Sequence, residues 1–295
     1  MFLPSTAAAS PLLSVGLGLV AATTWGGSDY AGGIGTRRWP ALLVVASGHL
    51  VTLGVLLLVC FAGGLPVPPR TEFLEAALGG LEGSLALALF YRALAMGAMG
   101  LTAALTGLLT ALVPVLYGLW SEGFPAPLAI VGLMLGVVAI WLIAHSPRLD
   151  KTRHGTPPLA LILGALSGVG FGVQLILFKL ASSGGVLWAL TSARIGGVFA
   201  LGALLLFAWP RNQLGGRIGK GFWGVGIIAG VLDTVGNLGY TVAAHTGRLD
   251  LAAIISSLYP GFTILLAAML LRERPSRRQT VGMAVALASV VLLSL

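Results

Sequence analysis

Five ionisable side chains fall inside otherwise apolar stretches of this 295-residue chain: Asp29, His49, Glu82, Arg194 and Asp233. A charge in hydrocarbon is costly unless it is paired or hydrated, so each one marks a tie between helices, a water-filled path or a binding site. His49 and Arg194 occupy matching places in ASGHL (46–50) and TSARI (191–195). Arg194 reads equally as an interhelical tie to a carboxylate or carbonyl and as a gating or binding group. His49 reads as a packing residue bonded to a backbone carbonyl, or as a proton-coupling group, because imidazole titrates near neutrality. Asp29 lies near the end of its stretch, where interfacial water is one account of it. Asp233, Asn237 and Tyr240 follow i, i+4, i+7 spacing and form one polar stripe, which in a membrane helix must face protein or water. Glu82 starts no comparable stripe, although Tyr91 follows nine residues later.

Uncharged groups extend the candidate site. Trp25 and Ser28 stand one turn apart, and Phe171 and Gln174 take the matching places in a second segment. The Gln174 amide both donates and accepts, which suits a zwitterionic ligand. Trp25 sits well inside its stretch and reads as a cavity residue more than as an interfacial belt residue of the Trp120 and Trp223 kind. Pro114 and Pro260 fall in the middle of apolar segments, where each removes a helix hydrogen bond and kinks the rod. The freed carbonyl then either faces a cavity or serves packing alone.

The chain lacks the parts of an enzyme. There is no H-E-x-x-H, G-x-S-x-G or P-loop, and no His/Asp/Glu cluster at metal-ligand spacing. The single Cys60 supports neither a disulfide nor a thiolate metal site. No cofactor and no metal are expected. The formal net charge of +8 does not point to nucleic acid, because the basic residues sit at segment ends and form no stripe interleaved with aromatics.

What must position these residues is a membrane. Hydrophobic residues make up 57% of the chain and charged ones 9%, with a mean hydropathy of +0.98. A soluble domain could not cover its surface with so few charges. Ten apolar segments recur at helix-spanning length: 13–33, 39–63, 73–96, 100–120, 126–145, 157–180, 185–209, 221–244, 249–271 and 279–295. The expected fold is an all-α integral membrane protein of ten transmembrane helices.

The chain also reads as two copies. GLVAATTWGGS (18–28) aligns with GALSGVGFGVQ (164–174), and TALVP (110–114) aligns with SSLYP (256–260), both 146 residues apart. That gives an N-terminal five-helix repeat over 1–147, a cytoplasmic linker over 148–156 and a C-terminal five-helix repeat over 157–295. Five is odd, so the second copy enters the bilayer from the opposite side. Loop charge agrees. Thirteen Lys and Arg fall on one side, only Arg70, Lys179 and Arg248 on the other, and Arg194 remains inside a span. The basic side is cytoplasmic, which puts both termini outside. The matched loops 121–127 (SEGFPAP) and 272–279 (RERPSRRQ) differ as inversion demands, with no basic residue against four. The N-terminal MFLPSTAAAS carries no basic residue and does not read as a cleaved signal peptide. Gly132 and Gly136 have the spacing that lets helix backbones approach closely, here the fifth span on a neighbour such as the tenth. A monomer or a weak homodimer in lipid satisfies this pattern.

Two five-helix halves, each with a Pro-centred fourth helix that ends near a Glu, resemble the EamA-type branch of the drug/metabolite transporter superfamily. The segments that carry the resemblance are AALTGLLTALVPVLYGLWSE (103–122) and AAIISSLYPGFTILLAAMLLRE (252–273), with Trp25-Gly26 and Phe171-Gly172. Within that branch the chain looks most like the bacterial aromatic amino acid exporters. There is one departure: Tyr91 to Pro114 spans 23 residues and Tyr240 to Pro260 spans 20, about one helical turn less. The resemblance implies a bacterial inner-membrane carrier whose central cavity is lined by the first, third and fourth helices of each half. Its expected substrate is a small neutral amino acid, aromatic or otherwise apolar, exported by alternating access. Another small neutral metabolite, a lipophilic drug, or a non-transporting scaffold or receptor are the alternatives. Sugar phosphates would call for clustered Arg and Lys where only Arg194 is available.

The loop-charge bias predicts an outward C-terminus. A periplasm-dependent reporter fused at Leu295 should be active and a cytoplasm-dependent one silent; the reverse result would overturn the orientation.

Overall fold

The computed structural model describes residues 11–36, 38–95, 99–144, 158–208, 219, 221–270 and 275–295. Within them helix follows helix and no strand occurs: α1 (Pro11–Thr36), α2 (Ala41–Ala62), α3 (Arg70–Ala95), α4 (Met99–Glu122), α5 (Pro127–Ala144), α6 (Pro158–Ala181), α7 (Val186–Ala203), α8 (Phe222–Thr246), α9 (Leu249–Ser256), α10 (Tyr259–Leu270) and α11 (Arg277–Ser294). The linker expected at 148–156 lies outside the described residues. Helix starts follow local chemistry. α1, α5 and α6 begin on a proline, whose missing N–H is unpaired at that position in any case. α11 begins with a capping box, in which Ser276 Oγ accepts from Gln279 N–H and Gln279 Oε1 accepts from Ser276 N–H.

Among the described residues, seven helical stretches are long and apolar enough to cross a membrane: 42–62, 70–90, 105–122, 158–184, 186–206, 222–246 and 249–270. The outer surface has the character that lipid requires. Leu58, Phe61, Met134, Phe199 and Leu287 are all more than 60% exposed. Trp120 and Phe124 stand in the open at the end of α4 and just beyond it, at belt height for an aromatic. This is a multi-pass helical membrane protein.

Contacts between helices come in matched pairs. α1 packs on α8 and α3 on α6; α2 packs on α8 and α3 on α7; α1 packs on α9 and α10, and α4 on α6. α5 closes one flank against α11, where Ser289 Oγ donates to the Gly132 carbonyl at 2.7 Å and a methyl at Gly132 would meet Leu293 at 2.8 Å. The Gly132/Gly136 face is therefore covered within the chain.

Two central crossings are made backbone on backbone. A methyl at Gly80 would lie 1.8 Å from the Ala193 carbonyl oxygen, and one at Gly196 would lie 1.9 Å from that of Ala77, so α3 and α7 touch without side chains between them. At the α2–α8 crossing, a methyl at Gly230 would lie 2.6 Å from Gly48 Cα.

The two span prolines behave differently. Pro114 is buried in α4, which runs helical from Met99 to Glu122 around it. Pro260 was expected to kink a continuous span, but the span is divided there. α9 ends at Ser256, a turn passes through Ser257 and Leu258, and α10 begins at Tyr259. Pro260 cannot donate to the Ser256 carbonyl, and in the first turn of α10 its missing N–H costs nothing.

Gly80→Ala and Gly196→Ala should each lower the unfolding midpoint and the monodisperse yield in detergent, as overpacking by about 1–3 kcal/mol does. Gly54→Ala should be neutral, because nothing lies within 4 Å of its added methyl. Equal behaviour of the three variants would refute the backbone crossings.

Candidate functional site

A cavity of about 820 Å³ lies at the centre of the helices, its wall drawn from α1, α2, α3, α4, α6, α7 and α8 and from the break between α9 and α10. Trp25 and Ser28 line it from α1, Phe171 and Gln174 from α6, and Asn237 from α8. His49, Arg194 and Asp233 share the same wall. Sequence spacing alone had linked these positions across 212 residues of chain, from Trp25 to Asn237.

The aromatic part of the wall is supported from behind. Trp25 stacks at a tilt on Tyr240, with centroids 5.9 Å apart, and meets Tyr259 edge-on at 6.2 Å. Its indole rests on Gly236, where a methyl would stand 2.4 Å from Cδ1. Phe171 meets Phe90 edge-on at 6.4 Å. The matched glycines beside these two rings do matching work. A methyl at Gly26 would stand 2.6 Å from Phe262 Cβ in α10, and one at Gly172 would stand 2.5 Å from Val113 Cβ in α4.

Gln174 lies over Gly83 of α3, where a methyl would stand 2.2 Å from its amide nitrogen. Only glycine leaves room for that amide. Ser28 Oγ donates to the Ala229 carbonyl at 2.8 Å, which fixes α1 on α8. Arg194, 6% exposed, forms an ion pair with Asp233, and its Nη2 also donates to Thr234 Oγ1 at 3.0 Å. Asn237 Nδ2 donates to the same Asp233 oxygen at 3.0 Å. Asp233 is thus held by a cation from α7 and an amide from its own helix. The polar stripe read from the sequence is real in its first two members.

Four expected residues stand elsewhere. Tyr240 is fully buried behind Trp25 and donates its hydroxyl to the Leu175 carbonyl at 2.9 Å, outside the cavity wall. Glu82 lies against Gly170, where a methyl would stand 2.7 Å from its Oε1, on the α3–α6 face. Pro114 and Pro260 are likewise not in the wall. Tyr91 is on α3, but its side chain lies outside the described residues. His49 lines the cavity with Nδ1 buried and without a hydrogen-bond partner among the described residues.

Sequence reasoning left out Thr234, Ser257 and Tyr259. Thr234 adjoins Asp233, and the polar pair was a readable signal. Ser257 and Tyr259 enter the wall because the span divides beside them, which spacing did not show.

One end of the bundle is cross-tied by charge. Lys179 at the end of α6 pairs with Glu122 at the end of α4. Glu122 Oε2 accepts from the Leu249 N–H at 3.0 Å, at the start of α9. Arg248 grips the fully buried Asp250 through Nε at 3.1 Å and Nη2 at 2.8 Å, and reaches the Gly123 carbonyl at 2.5 Å. Bidentate, charge-assisted bonds of this kind are the stronger class. Toward the other end the cavity lining reaches Gly33 on α1 and Val44 on α2, each within four residues of its helix end.

The Arg194–Asp233 pair ties α7 to α8. Arg194→Gln should lower the unfolding midpoint markedly, since breaking a buried pair from one side costs about 3–5 kcal/mol. Adding Asp233→Asn should recover a good part of that loss. Arg194→Lys should fold better than Arg194→Gln, but below the parent, because an ammonium cannot serve Asp233 and Thr234 as a planar fork does. Equal midpoints for all four proteins would remove the tie.

Residues 158–295 match the EamA-like transporter family. Among the curated proteins, none matches the chain. A solved structure described as "Crystal structure of protein" superposes with a TM-score of 0.79 at 16% identity, covering 95% of this chain and 95% of that one. At that identity the likeness is one of fold, and it extends over both halves. The chain is a multi-pass helical membrane protein whose residues 158–295 are similar to the EamA-like transporter family.

Proposed function

We propose that this protein is a secondary transporter that exports small neutral amino acids with aromatic or other apolar side chains across the bacterial inner membrane. The observation that carries the reading is the central cavity, walled about equally by helices on either side of residues 145–157. The matched contacts α1–α8 with α3–α6, α2–α8 with α3–α7, and α1–α9/α10 with α4–α6 support two inverted repeats. In such a plan, one half rocks against the other around a site near the midplane. The charge-tied end, with Glu122, Lys179 and Arg248, belongs to the side with few basic loops, and the cavity reaches toward the basic side. The structure thus fits a state that is closed outside and faces the cytoplasm, with both termini outside.

The lining suits an amino acid. Trp25, Phe171 and Phe90 offer ring faces to an apolar side chain, while the Gln174 and Asn237 amides face its polar end. The broken span adds an anion-compatible corner. Ser257, 2% exposed and with its hydroxyl unpartnered, lines the cavity beside the N-terminus of α10. A helix N-terminus at a broken span favours a carboxylate. A lipophilic drug would leave these polar groups unsatisfied.

Labelled amino acids presented to proteoliposomes, with and without a pH gradient, test the reading. Gln174→Ala should weaken apparent affinity about 5- to 100-fold with unchanged yield, as loss of a buried amide contact worth roughly 1–3 kcal/mol does. Trp25→Ala should shift preference among side-chain sizes. Folded variants that handle every substrate like the parent would place the site elsewhere, and a parent that moves no amino acid would defeat the substrate class.

A further inference from the structure

Asp29 is the one described carboxylate of the cavity wall that is left without a cation. Four ionisable side chains other than tyrosine line that wall: Asp29, His49, Arg194 and Asp233. Arg194 is spent on Asp233 and Thr234, and Asp233 also takes the Asn237 amide. His49 reaches the cavity from α2, with Nδ1 toward Gly197, where a methyl would stand 3.1 Å away. Asp29 itself makes no hydrogen bond and no ion pair with a described residue, and its side chain is open to the cavity. Lys179 and Arg248, the other cations in described ion pairs, are committed at the tied end of the bundle.

The position of Asp29 is fixed on two sides. Its neighbour Ser28 is bonded to the Ala229 carbonyl, one turn before Asp233 on α8. One turn earlier on α1, the Gly26 carbonyl accepts from Thr263 Oγ1 of α10 at 3.3 Å. The groups that act on Asp29 electrostatically are the neutralised Asp233 from α8 and the Tyr259 phenol from the start of α10. Neither brings a fixed positive charge. A carboxylate in a cavity between apolar walls interacts far more strongly with a cation than one in bulk water does.

We propose that Asp29 binds the ammonium group of the substrate, so that the carrier requires a protonated amine and rejects the same side chain presented as a carboxylic acid alone. This rests on the cavity being the substrate site, and it adds the group that does the selecting. The Trp25 and Tyr259 rings flank Asp29 on α1 and α10, and ring faces of that kind also favour an organic cation.

Equilibrium binding to the purified full chain at constant pH, with no gradient, tests it with three solutes of one ring: phenylalanine, phenethylamine and 3-phenylpropionate. The parent should bind the first two and bind 3-phenylpropionate weakly or not at all. Asp29→Asn should weaken the two amines by about 10- to 150-fold, the loss of one hydrogen bond to a charged group, and leave 3-phenylpropionate within twofold. Asp29→Glu should restore part of the amine binding. An Asp29→Asn protein that elutes and melts like the parent and keeps the preference for amines would overturn the proposal, and so would a role limited to carrying a proton, which leaves the order of the three solutes unchanged. Should Asp29→Asn not fold, the parent alone decides: equal binding of phenethylamine and 3-phenylpropionate overturns it. Binding of none of the three by the parent overturns the cavity reading itself.

Discussion

Helices that touch backbone to backbone can do so only where neither presents a side chain, and the centre of this protein is built on that condition. Gly80 and Gly196 seat α3 on α7, and Gly48 and Gly230 seat α2 on α8. The cavity borders these same crossings, since Gly48, Gly80, Ala193 and Gly230 all stand in its wall. The cavity is the remainder of a packing scheme and not a void in it. The cavity wall depends on the same economy: Trp25 rests on Gly236 and Gln174 on Gly83, so two lining side chains owe their positions to residues that have none.

The second constraint is the absence of water along the lipid face. Every polar group carried into the bilayer must be satisfied within the protein. Most serines and threonines solve this locally. Thr52, Ser84, Thr110 and Thr234 return their hydroxyls to carbonyls four residues earlier. Others staple helices: Ser14 bonds the Ala243 carbonyl, Ser167 that of Ala86, and Thr106 that of Gly164. Six buried side-chain atoms have no partner among the described residues, and two of them, His49 Nδ1 and the Ser257 hydroxyl, stand in the cavity wall. Unsatisfied groups that line a cavity are where a ligand or water has to enter the account.

Much of this was legible in the chain. Apolar length located the helices other than the divided α9 and α10, and Trp25, Ser28, Phe171 and Gln174, paired by the repeat, all stand in the cavity wall. The i, i+4 relation of Asp233 and Asn237 foretold a shared polar face, and Arg194 supplied the cation that face needed. Tyr240 was misplaced by the same periodicity. It lies on the stripe, but α6 covers that end of α8, and its hydroxyl serves the Leu175 carbonyl. Helical spacing gives the face of one helix and not the identity of the helix opposite. Asp29 was underread for a related reason. Nearness to a span end suggested interfacial water, whereas α8 and α10 enclose that turn of α1 and make it cavity wall.

The division before Pro260 was the least legible feature, and the two fourth elements explain why it matters. Both carry a proline in a similar frame, yet α4 passes through Pro114 unbroken while α9 stops two residues before α10 begins. The chain between tyrosine and proline is three residues shorter in the second half, about one helical turn. Ser257, in the turn, and Tyr259, the first residue of α10, both stand in the cavity wall. The break also gives the second half a free helix end that the first half lacks. In the mechanism proposed, the two halves exchange roles on opening and closing, but a substrate held at a break in only one of them would travel with that half. On that proposal the matched contacts would govern the rocking, and the unmatched break would hold the ligand.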